Sequence, residues 1–400
     1  MVTTVRKAGI VAALAVVVGV FDYIIAMRHG FFDLNVYFGA LNYWAEGGVL
    51  YDYLRPRTEY GFTYPPFAAL TMLPMVLVPW HVAIGIHVTL TLVATAAVLY
   101  WLVDPIVVRE GWSRWFAFAV AVCLIAAYEP MRETFLFGQV NMVLVALVMA
   151  DAVLLLGRGS RWAGLGIGLA TAIKLTPGLF ILYLLVTRRW RAAGVAVATA
   201  ITATLLAAAV MPEESRIFWT EAIWNTDRIG VLSFVSNQSL QGVLARIDPS
   251  NPNPLVWLVC VLGVLAIWFV RIRQVQRRGG DEMTGIALTG VTGCLVSPVT
   301  WIHHLVWLVP ALVLLVDGGL RATGSRRRWL LGAAIGAYLV LCSSIVWLWR
   351  WNLSGVDEFL GGSAYVWISL ALLIGLPIRS VEPQGVPDLV EVDGRAAVRH

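Results

Sequence analysis

The sequence predicts an all-α polytopic membrane protein, and three observations carry that prediction. Hydrophobic residues make up 59% of the 400-residue chain and charged residues 13%, a balance that excludes an ordinary soluble protein of several domains. Apolar runs approaching the roughly 20 residues that a helix needs to cross a bilayer recur along nearly the whole length. The basic residues, 29 against 24 acidic for a net charge of +5, fall in short clusters between those runs. They therefore read as topology signals, not as a nucleic-acid surface. Cys123, Cys260, Cys294 and Cys342 lie in or at the ends of apolar runs with no CxxC pair, which indicates neither a disulfide framework nor a zinc site.

The first run, Ala8 to Met27, follows Arg6 and Lys7. It is long, carries Asp22 and lacks an AxA-type cleavage site, so it predicts a spanning helix with a cytoplasmic N-terminus and not a signal peptide. Residues 64 to 79 are apolar but short and hold four prolines, which predicts a re-entrant or interfacial element. Further spans are predicted near residues 83 to 103, 115 to 134, 139 to 156, 161 to 174, 176 to 187, 190 to 211, 255 to 271, 284 to 298, 303 to 317, 329 to 349 and 363 to 378, making about twelve with the first. Residues 161 to 187 read as a hairpin of two short helices, with Arg158, Arg161, Arg188, Arg189 and Arg191 on one side and Lys174 at the opposite apex.

This topology puts both termini in the cytoplasm, with twenty of the 29 Lys and Arg residues on that side and nine on the other. Counting 64 to 79 as a full span would carry the RIRQVQRR and SRRR clusters outside. The expectation is one transmembrane domain over residues 1–379, with outer loops at 28–82 and 212–254 and a polar cytoplasmic tail at 380–400.

Ionisable residues near a membrane are costly and default to functional candidates. On the predicted outer face they gather in five stretches from five parts of the chain, as a single site would require. Asp33, among Phe31, Phe32, Tyr37 and Phe38, is a candidate general base; the alternative is an N-cap for a helix starting at Leu34. His303 and His304 point in different directions on a helix, which suits proton transfer or phosphate contact better than a two-ligand metal site. Lys174, beside broken helix ends, suits a phosphate oxygen, against snorkelling to the interface. Arg132 could clamp a phosphate or pair with Glu129 or Glu133. Gln139 and Asn141 could bind sugar hydroxyls or cap helix ends. No convincing metal-ligand set is visible, so no cofactor is assigned and metal dependence stays open.

The stretches DLNVY at 33–37, LYD at 50–52 with FTYPPF at 62–67, RETFLFGQVN at 132–141, AIKLTPGLF at 172–180 and SPVTWIHHLVW at 297–307 together resemble glycosyltransferase family 87. These are actinobacterial membrane enzymes that use polyprenyl-phosphate sugars. The resemblance covers residues 30 to 310, in order and spacing; Ile302 departs from the polar or acidic residue found there in some relatives.

The resemblance implies a GT-C fold and an extracytoplasmic pocket in the plasma membrane, with Asp33 as the matching catalytic base. It further implies an inverting α-(1→2)-mannosyltransferase. The donor would be polyprenyl-phosphate-mannose, its phosphate near Lys174, Arg132, His303 and His304. The acceptor would be a phosphatidylinositol tetramannoside, with Tyr37, Tyr51 and Tyr64 shaping its site. The competing readings are a branching mannosyltransferase of lipomannan, an arabinofuranosyltransferase using decaprenyl-phosphate arabinose and, from another class, a lipid or solute transporter.

Overall fold

The computed structural model describes residues 3–25, 29–225, 230–350 and 355–379. The expected tail 380–400, the end of the first run, and residues 226–229 and 351–354 lie outside the described residues. Among the described residues the chain is helical, with one isolated antiparallel bridge, Leu54 to Gly61.

The first half runs through α1 (Thr4–Ile25), α2 (Phe32–Ala45), α3 (Pro66–Met72), α4 (Trp80–Glu110), α5 (Arg114–Ala127), α6 (Glu129–Phe137), α7 (Asn141–Ala150), α8 (Leu165–Ile173), α9 (Leu179–Val186) and α10 (Trp190–Val210). The second half holds α11 (Pro212–Thr220), α12 (Leu240–Ile247), α13 (Pro254–Arg277), α14 (Glu282–Val296), α15 (Val309–Arg321), α16 (Gly324–Cys342) and α17 (Ala364–Gly375). A 3₁₀ turn over Ile302–Leu308 leads into α15.

Among the described residues, five helices are long and apolar enough to cross a membrane: α1, α4, α10, α13 and the Ile302–Arg321 run. Their outer faces are apolar and open, with Val17 64%, Leu205 63% and Val259 61% exposed, the surface that a bilayer and not water would cover. The chain is thus membrane-embedded, with fewer span-length helices than the twelve expected.

The expected span at 115 to 134 is broken. It is two helices, α5 and α6, bent by 70° at Tyr128, whose backbone is extended. Pro130 explains the break, because it has no N–H to bond back into α5 and its ring disfavours a continuous helix. The 212–254 segment is likewise more than a loop, since it contains α11 and α12. The 64 to 79 segment holds α3 and a 3₁₀ turn, Leu73–Leu77, a short apolar element below span length.

The hairpin at 161 to 187 is present. A Cβ on Gly164 would collide with the Ala192 carbonyl, and one on Gly168 with that of Ala196, so α8 packs closely alongside α10 and runs in the same direction. Chain reversal at Arg188, with φ 59°, then leaves Lys174 at the far end of the hairpin from Arg188 and Arg189.

Two cores form. The larger, around Trp268, Val291, Leu308 and Tyr365, holds the helix bundle together. The smaller, around Leu34, Tyr37, Tyr51, Phe62, Tyr64 and Phe218, joins α2 to the segment before α4 and to α11. Val140 and Ile173 pack against both cores. Their sequence neighbours Gln139, Asn141 and Lys174 are the polar residues of the seam.

Candidate active site

Asp33 comes to the seam because α2 is pulled against the end of α6. Phe31, held at φ 55°, donates its N–H to the Leu136 carbonyl at 2.9 Å. Gly138 closes α6 at φ 74°, and a Cβ there would sit 2.5 Å from that of Leu34. Only glycine allows both the left-handed turn and this approach. The next residue, Gln139, then reaches Asp33, its Nε2 donating to Oδ2 at 2.6 Å.

The helix start differs from the capping alternative. α2 begins at Phe32, two residues before Leu34, and no side chain caps it. Asp33 therefore holds no helix end, and among the described residues its Oδ1 has no bonded partner. Packing around the carboxyl group pushes its pKa up to about 6, against the Gln139 bond and the nearby Lys174, His29 and Arg55, which favour the charged form.

From Gln139 a hydrogen-bonded chain crosses the seam. Tyr64 donates to Gln139 Oε1 at 2.8 Å and receives the Tyr37 hydroxyl at 3.0 Å. Lys174 Nζ lies 3.3 Å from the Tyr64 oxygen, 3.0 Å from Asn141 Oδ1 and 2.8 Å from His304 Nε2. The Trp301 N–H donates to His304 Nδ1 at 3.1 Å, so a neutral ring carries its proton on Nε2, facing Lys174. A neutral amine has two N–H groups and one lone pair, which matches the three contacts of Nζ; an ammonium would set donor against donor.

The other predicted residues divide. His304 lines a small groove with Lys174, Phe180, Gly290, Gly293 and Trp307, walled in part by α9 and α14. His303 is buried and tilted against Phe137 at 5.4 Å, while its carbonyl accepts from Thr134 Oγ1 at 3.2 Å and Asn141 Nδ2 at 3.3 Å. It fixes the turn that presents His304. Tyr51 donates to the Tyr64 carbonyl at 2.8 Å and is 1% exposed. Tyr37 and Tyr64 are similarly buried, so the three tyrosines form scaffold behind the seam and are not its open wall.

Arg132 is not brought into the group. Its guanidinium donates to the carbonyls of Ala127 and Cys342 and to Ser344 Oγ, and pairs with Asp22 at 3.5 Å. Neither Glu129 nor Glu133 is its partner: Glu129 receives Trp347 and Tyr365, and Glu133 faces His29 at 3.0 Å.

Sequence reading does not single out Arg55, Tyr60 or Trp301, which stand around Asp33 and His304; Arg55 and Tyr60 fall in none of the five motif stretches, and Trp301 enters only as part of SPVTWIHHLVW. Among the described residues, no three His, Cys, Asp or Glu side chains are grouped so as to hold a metal ion.

Comparison with known proteins gives one family. Residues 62–298 match glycosyltransferase family 87. The chain is 33% identical over 388 residues to a polyprenol-phosphate-mannose-dependent alpha-(1-2)-phosphatidylinositol mannoside mannosyltransferase of Mycolicibacterium smegmatis, covering 90% of this chain and 87% of that protein. It is 32% identical to the protein of that name from Mycobacterium tuberculosis, covering 86% and 83%. It is also 31% identical to an alpha-(1-2)-phosphatidylinositol pentamannoside mannosyltransferase of M. smegmatis, covering 88% and 86%. No solved structure gives a significant match. On the match over more than half its length, and on relatives similar nearly end to end, the chain belongs to glycosyltransferase family 87.

Proposed function

We propose that this chain transfers mannose from polyprenyl-phosphate-mannose to the 2-hydroxyl of a mannose on a phosphatidylinositol mannoside, at the outer face of the plasma membrane, with inversion. Family membership sets the transporter alternative aside. The names of the relatives support the donor and the acceptor class. The observation that carries the mechanism is one seam holding a carboxylate with an open oxygen, Asp33, joined through Gln139 and Tyr64 to Lys174 and His304.

Asp33 Oδ1 takes the proton of the acceptor 2-hydroxyl. The oxygen attacks the anomeric carbon from the face opposite the phosphate, the carbon–phosphate oxygen bond breaks, and polyprenyl phosphate leaves. One displacement turns a β donor into an α product and needs no second carboxylate nucleophile, unlike the retaining glycosidase scheme. Lys174 and His304 meet the charge growing on the leaving phosphate. Arg132 takes no part.

The lipid-facing arrangement that goes with this is a single GT-C domain over residues 1–379 with both termini in the cytoplasm. It has twelve crossings, some made of short or broken helices, with 64 to 79 re-entrant on the outer side. The excess of arginine on the opposite side supports that orientation.

The test is reconstitution of the full chain with polyprenyl-phosphate-mannose and either the tetramannoside or the pentamannoside acceptor. Formation of the pentamannoside from the tetramannoside is the expected result. Transfer only to the pentamannoside would move this chain beside the third relative, and transfer only from an arabinose donor would overturn the mannose assignment.

A further inference from the structure

The buried tyrosines leave open which side chains hold the acceptor sugar against Asp33. We infer that Arg55, Tyr60 and Trp301 form a subsite for a pyranose of the acceptor, with Arg55 bonding two neighbouring hydroxyls and the two aromatic rings covering the sugar's C–H face. This inference rests on the mannosyltransferase reading and assigns residues that reading does not use.

Arg55 is prepared for such contacts. Its guanidinium lies 4.1 Å from the centre of the Phe32 ring, and Phe32 adjoins Asp33 in the chain. Its Nε donates to Asn35 Oδ1 at 3.1 Å, and among the described residues its two terminal nitrogens bond nothing. A guanidinium pinned by one face and one edge presents its remaining N–H groups as a fixed fork. The charge of Arg55 is also felt at Asp33, so the fork lies near the catalytic carboxyl group.

The aromatic wall comes from two other parts of the chain. The Arg55 N–H bonds the Tyr60 carbonyl at 2.8 Å, closing a small turn that sets Tyr60 edge-on to Phe32 with centroids 5.6 Å apart. Tyr60 is 42% exposed, unlike the scaffold tyrosines. Tyr60 and Trp301 both approach Gly230, a Cβ on which would lie 3.3 Å from Tyr60 and 3.4 Å from Trp301. Trp301 in turn holds His304 through its backbone N–H. The two rings thus link Phe32, next to Asp33, with the residue that holds His304. Aromatic faces joined to a planar donor fork suit a sugar ring, which has an apolar C–H face and vicinal hydroxyls at its rim.

The test uses the full chain in nanodiscs, as wild type, Arg55→Ala, Arg55→Lys and Tyr60→Ala. Steady-state transfer should show the KM for phosphatidylinositol tetramannoside raised about tenfold in Arg55→Ala and about fivefold in Tyr60→Ala, with the donor KM shifting less than about twofold. Arg55→Lys should recover only part of the loss, because a point charge lacks the fork. A fall in kcat with an unaltered acceptor KM would overturn the subsite and make Arg55 a partner of Asp33 alone. Saturation-transfer NMR with soluble α-mannobiose separates this inference from the proposed reaction. A signal that disappears in Arg55→Ala supports the subsite even if wild type transfers no mannose, an outcome that would sink the reaction. Equal signals in wild type and variants would overturn the subsite even if transfer proceeds.

Discussion

Gln139 donates to Asp33 through Nε2 at 2.6 Å while its Oε1 accepts from Tyr64 at 2.8 Å. One amide therefore orients the carboxylate and ties it to the tyrosine on which Lys174 rests. Because both ends of the amide are engaged, its flip state is fixed, and Asp33 Oδ1 is left for the substrate.

Replacing Asp33 by Asn keeps the shape and removes the proposed base. Transfer should fall by about 10³-fold while the donor dissociation constant changes little. Mannose transfer at wild-type rate would remove Asp33 from the mechanism.

Gln139→Ala takes away a bond that favours the charged carboxylate, and such bonds are worth about 1.5–3 kcal/mol. The expected result is a drop in kcat of roughly tenfold together with an acid limb moved to higher pH. A purely structural role would lower stability and leave the limb in place.

The pH profile follows from Asp33. Burial raises its pKa to about 6, and the base works only when ionised. At saturating donor, kcat/KM for the acceptor should therefore be level above that pH and fall about tenfold per unit below it. In Asp33→Asn the residual activity should lose this limb; a limb that survives belongs to another group.

The contacts of Lys174 describe an uncharged amine. An incoming phosphodiester favours the ammonium, so donor binding at neutral pH should take up about one proton. Calorimetry of polyprenyl-phosphate-mannose binding in two buffers of different ionisation enthalpy measures this uptake. Heat independent of the buffer would mean that Lys174 is already charged. Lys174→Met should weaken donor binding and leave acceptor binding intact.

Arg132 ties α6 to the carbonyl of Cys342 at the end of α16. Arg132→Met leaves those acceptors and Asp22 unpaired, at a cost of about 2–4 kcal/mol. The thermal midpoint should fall while the surviving protein keeps its donor KM; a raised donor KM at unchanged stability would return Arg132 to the phosphate site.

Much of the site was legible in the sequence, because a carboxylate, a lysine and histidines beside apolar runs are anomalies that need no geometry to be noticed. Asp33, Gln139, Asn141, Lys174 and His304 meet in one seam. The hairpin at Lys174 was equally legible, since a charge and a proline interrupt one apolar run whose ends are basic.

What the sequence by itself determined is the solvent of each segment: helices for lipid, short broken pieces where proline and charge intervene, and polar residues gathered at their ends. Composition averaged along a segment reports that preference and nothing about partners. Only the tertiary structure decided that α5 and α6 part at Tyr128 by 70°, that Arg132 faces backbone carbonyls and Asp22, that Tyr37, Tyr51 and Tyr64 stand behind the seam, and that Arg55 and Trp301 stand before it. Each of those outcomes depends on which groups meet through space. A buried donor or acceptor settles on whichever partner the packing of distant helices brings within bonding distance, and that choice is written in no local stretch of the chain.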